Sequence, residues 1–560
     1  MTQTTQRSGG ELLVAALAAQ GATRAFCVPG ESYLPVLDAL RDSEIETIVC
    51  RQEGGAAMMA EADGKLTGRP GLCFVTRGPG ATNAASGIHV ASHDLTPMIL
   101  FVGQVPTPFR GRGAFQEVDY DRLFGGMAKA VFEARAPGEL PQLVETAYRI
   151  AMDGAPGPVV VALPEDTLSG LAAAEIPARV DPRPIRADPE AMEELWALLA
   201  DAARPILLLG GSRWTDGAIV DIQRFAEAWR LPVACSFRRQ GLFPNDHSNY
   251  AGDLGIGPNP KLKARIAEAD LVIALGARLG EMPSQGYTLF SVPEPRQRLV
   301  HVLPDSAELG RLYRPALAIH AGPASFARKS MQLQAPATVA WSGTAEAAHA
   351  DYLAWSTPEP EAGQKPCCVD PFAVMAHLRD CLPGDAIMTN GAGNYAGWLH
   401  RFHRFAGRTS QVAPTSGSMG YGLPAAVAAK LRLPDRTVVC FAGDGCFQMT
   451  GQEFSTAVQA GAAVVVVLFD NGQYGTIRMH QEKNYPGRQS ATALVNPDFA
   501  ALARSCGGFG VTVTETDGFP AAMAAALSAG VPALVHLTID PDRISTTARL
   551  PFAPAGDAAG

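Results

Sequence analysis

A chain of 560 residues is too long for one hydrophobic core and predicts about three domains. Its formal net charge is −9, with acidic and basic residues interspersed, which argues against a nucleic-acid partner or an anionic membrane surface. The ten cysteines are scattered, mostly in apolar runs, and no CxxC pair occurs, so neither a zinc centre nor a disulfide framework is expected.

The first segment, Leu12 to Ala19, is apolar but too short to span a membrane, and Glu11 opens it. It predicts an amphipathic helix ahead of the strand Ala25-Phe26-Cys27-Val28, not a signal peptide, and with free thiols this favours the cytoplasm. Glu53 opens a helix-like run of small residues, Arg51 to Gly64, where an acid could simply cap the helix. Val75-Thr76-Arg77-Gly78-Pro79-Gly80-Ala81-Thr82-Asn83 reads as strand, turn and helix start. Pro97 to Gly103 and Ala114-Phe115-Gln116-Glu117 follow, and Pro158 to Pro164 closes a first block, assigned to residues 1–175. The Pro-rich stretch Ile176 to Pro189 reads as a linker. A second block, 190–330, carries Ile206 to Leu209 into Gly210-Gly211, then Leu271 to Leu275. Thr338 to Pro366 looks like a second connection. The third block, 367–545, carries Ala386 to Thr389 into Asn390-Gly391-Ala392-Gly393-Asn394-Tyr395. It continues with Thr437 to Ala442, a helix-like stretch Gln452 to Gln459, and Val464 to Phe469. Residues after Thr546 read as a mobile tail, and no repeat is visible. The alternation predicts an α/β protein of three domains with parallel sheets flanked by helices.

The strongest local signal is Gly443-Asp444-Gly445-Cys446 at the end of one apolar run, answered by Asp470-Asn471 at the end of the next. If the two runs are neighbouring parallel strands, Asp444 and Asn471 lie at their carboxyl ends, where ligands of open α/β sheets bind. One carboxylate and one amide oxygen suit Mg²⁺, which prefers a few protein oxygens together with phosphate and water. Gly445 permits close backbone approach, and a following helix N-terminus offers N–H groups to an anion. The implied chemistry is a diphosphate held through Mg²⁺.

These segments, in this order, resemble the thiamine diphosphate (ThDP) enzymes, on their acetohydroxyacid (acetolactate) synthase branch. The diphosphate motif of that family opens with GDG and closes with an Asn pair, whose first member is Asp470 here. The resemblance implies metal ligation by Asp444, Asn471 and the backbone carbonyl of Gln473. It implies cofactor contacts from Pro29, Gly30, Thr76, Pro79, Asn83, Ala392, Gly393, Asn394, Tyr395, Gly417, Gly443, Gly445, Cys446, Tyr474, Gly475, Thr476 and Ile477. It makes Glu53 the catalytic residue: buried beside the cofactor's pyrimidine, with a raised pKa, it favours the imino form whose amine takes the reactive proton. Met419, in Thr415 to Pro424, falls at the position that wedges the cofactor into a bent shape. A 2-oxoacid such as pyruvate is the implied donor. The family builds each site from two subunits, which implies a homodimer or homotetramer.

The substrate region matches less well. Phe115, Gln116 and Lys129 sit where the synthases keep Phe, Gln and Lys near the reacting centre. His480 stands where they have Trp, and Met282 where an Arg binds the acceptor carboxylate; methionine cannot make that bidentate contact. His480, and after it His89 and His93, are candidate acid–base or hydrogen-bonding groups. The middle block resembles a flavin-binding domain, but Leu303 replaces one of two acidic residues, leaving FAD, another ADP-bearing ligand or an empty domain as alternatives. A C–C bond-forming or -cleaving enzyme is therefore expected. The alternatives are a non-synthase lyase, a diketone hydrolase, a flavin-coupled oxidase or a non-catalytic homologue.

Overall fold

A computed structural model describes residues 6–360, 365 and 367–551. The described residues contain three six-stranded sheets, each parallel throughout, and one two-stranded ribbon. The expected tail lies largely outside the described residues, from 552 onward.

In the first sheet the strands lie side by side as Glu46–Val49, Arg24–Cys27, Gly71–Val75, Met98–Gln104, Pro158–Pro164 and Ala130–Glu133. Every residue of Met98–Gln104 and Pro158–Pro164 is buried, as required of parallel strands covered on both faces. The order in the third sheet is Gln411–Val412, Ile387–Asn390, Val438–Gly443, Val465–Asp470, Ala533–Thr538, Phe509–Val513. Numbered along the chain, both sheets run 2-1-3-4-6-5. The two therefore share one topology, a duplication the sequence does not show. The central sheet runs 3-2-1-4-5-6: Tyr250–Leu254, Val233–Ser236, Pro205–Leu209, Leu271–Leu275, Arg298–Leu303, Leu317–His320.

The chain packs as two compact units. One comprises the residues up to Pro184 together with Pro414–Arg432; the other comprises Ile185–Ala413 and the residues from Leu433 onward. In the first unit the helix Gly9–Ala19 is fixed by a capping box, Ser8 Oγ accepting from Glu11 N at 3.2 Å and Glu11 returning a carboxylate to Ser8 N at 2.6 Å. Its linker-like stretch is not loose: Gln20 Nε2 donates to Ala178 O and Arg69 to Val180 O. The helix Gly422–Arg432 lies against Glu53–Thr67, and Arg432 pairs with Asp63 at 2.7 Å.

In the second unit, Thr338 to Pro366 is more than a connection. It contains the helix Thr344–Ser356, which buries Tyr352 edge-on against Tyr250, 4.7 Å between ring centres. Trp341 beside it is buried and donates to Trp229 O at 2.8 Å. Alanine-rich composition hid this helix, because its apolar contacts come from a few aromatic residues and not from a regular stripe.

Candidate active site

Ligands of doubly wound sheets bind beyond the carboxyl ends of the strands where the order reverses. In the third sheet that point lies between Ile387–Asn390 and Val438–Gly443, and the loops leaving it begin at Gly391 and Asp444. Gly443 is level with Phe469 on the next strand, so Asp444 and the pair Asp470-Asn471 emerge side by side. The glycines flanking Asp444 are required by two rings. A Cβ on Gly443 would sit 2.6 Å from the Tyr395 ring, and one on Gly445 would sit 2.6 Å from the Tyr474 ring. Tyr395 is tied in further: its hydroxyl accepts from Gly391 N at 3.1 Å and donates to Cys446 Sγ at 3.1 Å. Asn394 N donates to Thr476 Oγ1, and Thr476 Oγ1 donates back to Asn394 Oδ1, both at 3.0 Å. The residues expected around a diphosphate thus form one connected set.

The donor set suits a divalent cation. Asp444 is 3% exposed, and no cation among the described residues pairs with it; an amide and a second carboxylate face it. Burial pushes its carboxyl up to about 6, and Asp470 adds to this while Asn496 opposes it. A carboxylate so placed gains from a positive ion. Asn471 stands beside it, its Oδ1 accepting from Gln473 N at 3.3 Å. The turn's ladder uses the carbonyls of Gly472 and Thr492 and leaves that of Gln473 without a donor among the described residues. Asp470 faces burial too, but His536 Nε2 at 2.9 Å, Gly472 N and Asn496 bring its carboxyl below the ordinary range. Sequence inspection noticed Asp470 only as a departure. It missed Asn496 and His536, which lie 26 and 66 positions away.

The first sheet reverses between Arg24–Cys27 and Gly71–Val75, so Pro29-Gly30 and Thr76 leave it together. A Cβ on Gly30 would lie 2.5 Å from Thr76, whose hydroxyl is 3.0 Å from Ser32 Oγ. Glu53 begins the helix Glu53–Thr67, capped by the Gln52 side chain on Gly55 N at 3.1 Å. Asn83, from the helix Gly78–Asp94, donates Nδ2 to Glu53 Oε2 at 2.9 Å. Gly80 lies by Oε1, where a Cβ would come to 3.5 Å. Gln116 joins through its backbone, accepting Gly78 N at 3.0 Å, and holds a left-handed φ of 64°. Glu53 itself is half-buried in this chain, not enclosed as expected.

Met419 sits in a turn pinned at both ends. Thr415 N donates to Asp94 Oδ1 at 2.6 Å, and the Tyr421 hydroxyl donates to Glu61. Lys65 Nζ joins the two carboxylates, pairing with Asp94 and, at 3.2 Å, with Glu61, and donates to Tyr421 at 3.1 Å. Glu61, Asp94 and Tyr421 are all buried. Burial pushes the Glu61 carboxyl above the ordinary range; Asp94 adds to the rise and Lys65 opposes it. Gly417 and Gly420, with φ of 72° and 79°, make the turn between these anchors.

Several expected residues are not brought to these points. Lys129 precedes its strand, at the opposite edge of the sheet from Thr76, and donates Nζ to Asp153 O and Ala155 O at 2.6 and 2.8 Å. His89 and His93 pack against each other with their rings tilted by 43°, centres 4.3 Å apart, on an exposed helix face. His93 lies ten positions beyond Asn83, roughly 15 Å along the helix. Phe115 and Ile477 are exposed, as is His480, whose side chain makes no hydrogen bond, ion pair or ring contact among the described residues. Met282 is half-buried in a loop after Leu271–Leu275. At the central switch point, Gly211 and Gly276 cross with positive φ, and a Cβ on Gly211 would lie 2.1 Å from Gly276 O. On the strand beyond, Leu303 is buried, and Asp305 Oδ1 accepts from Ala307 N at 3.0 Å.

Residues 7–123, 192–329 and 391–537 match, in turn, the N-terminal TPP binding domain, the central domain and the C-terminal TPP binding domain of the thiamine pyrophosphate enzymes. The chain is 33% identical over 537 residues to the acetolactate synthase isozyme 2 large subunit of Escherichia coli K12, covering 95% of this chain and 96% of that one. It is 34% identical over 550 residues to the acetolactate synthase large subunit of Parasynechococcus marenigrum, covering 95% and 87%. It is 31% identical over 564 residues to a probable acetolactate synthase large subunit of Methanocaldococcus jannaschii, covering 98% and 94%. The chain belongs to the thiamine pyrophosphate enzyme family, on its acetolactate synthase-like branch.

Proposed function

We propose that this enzyme binds thiamine diphosphate through Mg²⁺ and makes or breaks a C–C bond beside the carbonyl of a 2-oxoacid. The single observation that carries the reading is the buried, cation-free carboxylate of Asp444 beside Asn471 at a strand-order reversal. Asp444, Asn471 and the Gln473 carbonyl would hold the metal, and Gly391 to Tyr395 with Thr476 would receive the diphosphate. When bound, the cofactor supplies an electron sink for the carbonyl carbon whose neighbour leaves. Glu53 would hold a proton for the pyrimidine at Oε1, while Asn83 fixes Oε2 and so orients the carboxyl. Met419, in its pinned turn, would support the bent cofactor. In a homodimer or homotetramer a second copy would complete the burial of Glu53, and a cytoplasmic setting would suit ten cysteines of which none forms a disulfide among the described residues.

The acceptor end favours a partner that needs no carboxylate anchor. Met282 supplies no charge, and His480 presents a solvent-facing imidazole in place of an aromatic wall. Diketones, acyloins and aldehydes fit this better than a second 2-oxoacid. Following 2-¹³C-pyruvate by NMR, with ThDP, Mg²⁺ and candidate acceptors, tests the reading. Labelled carboligation or decarboxylation product, lost in Glu53→Gln, is expected. Turnover that survives Glu53→Gln contradicts it.

A further inference from the structure

We propose that Asn496 is the positioning residue of the metal site: one amide group fixes Asp444 and Asp470 together and so presents a single oxygen of Asp444 to the cation. The inference rests on the reading of Asp444 and Asn471 as metal ligands. Asn496 Nδ2 donates to Asp444 Oδ2 at 2.8 Å and to Asp470 Oδ1 at 2.7 Å. Both N–H groups of the amide are therefore used, each on a different carboxylate. Its own Oδ1 accepts from Gln448 Nε2 at 2.9 Å, which fixes the amide nitrogen toward the acids. Asp470 is held from its other side by His536 Nε2 at 2.9 Å, and His536 packs edge-on against Phe499, 5.3 Å between ring centres.

The arrangement solves a local problem. Two carboxylates emerging from adjacent strand ends repel each other, and unrestrained they would turn apart or compete for the ion. Asn496 bridges them and takes one oxygen from each, Oδ2 of Asp444 and Oδ1 of Asp470, which fixes how the Asp444 carboxylate is turned. The negative charge of Asp470 stays nearby, directed onto His536 and backbone N–H instead of onto the metal. Outer partners of this kind orient ligands and tune affinity.

Mn²⁺ binding, followed by EPR in the presence of ThDP, tests this with a readout independent of turnover. Asn496→Ala is expected to weaken Mn²⁺ binding about 10- to 100-fold in a metal-free protein that circular dichroism shows to be folded. Saturating metal should restore product formation, so the half-saturating Mg²⁺ rises while the maximal rate stays within about threefold of wild type. Gln448→Ala, which frees the amide to turn, is expected to weaken Mn²⁺ less, and it decides the question should Asn496→Ala fail to fold. Wild-type affinity in both variants overturns the proposal. Asp444→Asn separates the two readings: if it binds Mn²⁺ as well as wild type, the metal reading itself falls and the inference with it.

Discussion

Asp253 lies recessed near the end of Tyr250–Leu254, with the Gln240 amide donating to its Oδ1 at 3.0 Å. Burial pushes its carboxyl up to about 7, against an ordinary value of roughly 3.9. The folded chain therefore keeps this proton at pH values where the unfolded chain has lost it. Stability from this group is complete below about pH 4 and is lost as pH rises through about 7. Asp253→Asn keeps the acceptor for Gln240 and removes the titration. It should be more stable than wild type at pH 8 by on the order of 1–3 kcal/mol, with the gap closing toward pH 4. Urea unfolding at both pH values checks it; an equal gap at both contradicts the assignment. At this scale the sequence was informative where local backbone geometry depends on chain neighbours. Gly443-Asp444-Gly445 was legible because two rings forbid any Cβ on those glycines. The position of Lys129 was not legible, because its neighbours said nothing about which end of the strands it occupies.

At the scale of elements, the turn carrying Met419 depends on contacts far apart in the chain. Lys65 meets Asp94 across 29 positions and Tyr421 across 356, so no local pattern announced the anchorage. Fully satisfied buried networks rigidify what they hold, and leaving one member unpaired is costly. Tyr421→Phe removes the hydroxyl shared by Glu61 and Lys65. It is expected to cost about 1–3 kcal/mol of stability and to expose the turn at Gly417-Ser418 to proteolysis. Thermal unfolding and limited digestion with mass spectrometry check both effects. Digestion elsewhere, with the turn intact, would contradict the pinning. The strands themselves were readable, since runs such as Val438–Gly443 and Val465–Asp470 are apolar on both faces. The helix Thr344–Ser356 was not, because its few large side chains lack a helical rhythm.

For the whole molecule, the first and third sheets share the order 2-1-3-4-6-5 and place their candidate site residues at the same reversal. One presents Gly30, Thr76 and the nearby Glu53; the other presents Gly391, Asp444 and Asn471. Strand order is a product of long-range packing, so a single sequence without visible repeats did not reveal it. Among the described residues no helix is long and apolar enough to cross a membrane. The proposed activation of thiamine diphosphate by Glu53 can be tested without knowing the acceptor. The measurement is exchange of the cofactor's C2 proton for deuterium on the enzyme, by rapid acid quench and NMR. Wild type should exchange far faster than free cofactor. Glu53→Gln should be slower by about 10²- to 10⁴-fold while still binding ThDP. Exchange no faster than in buffer, or equal in the two proteins, would contradict the account.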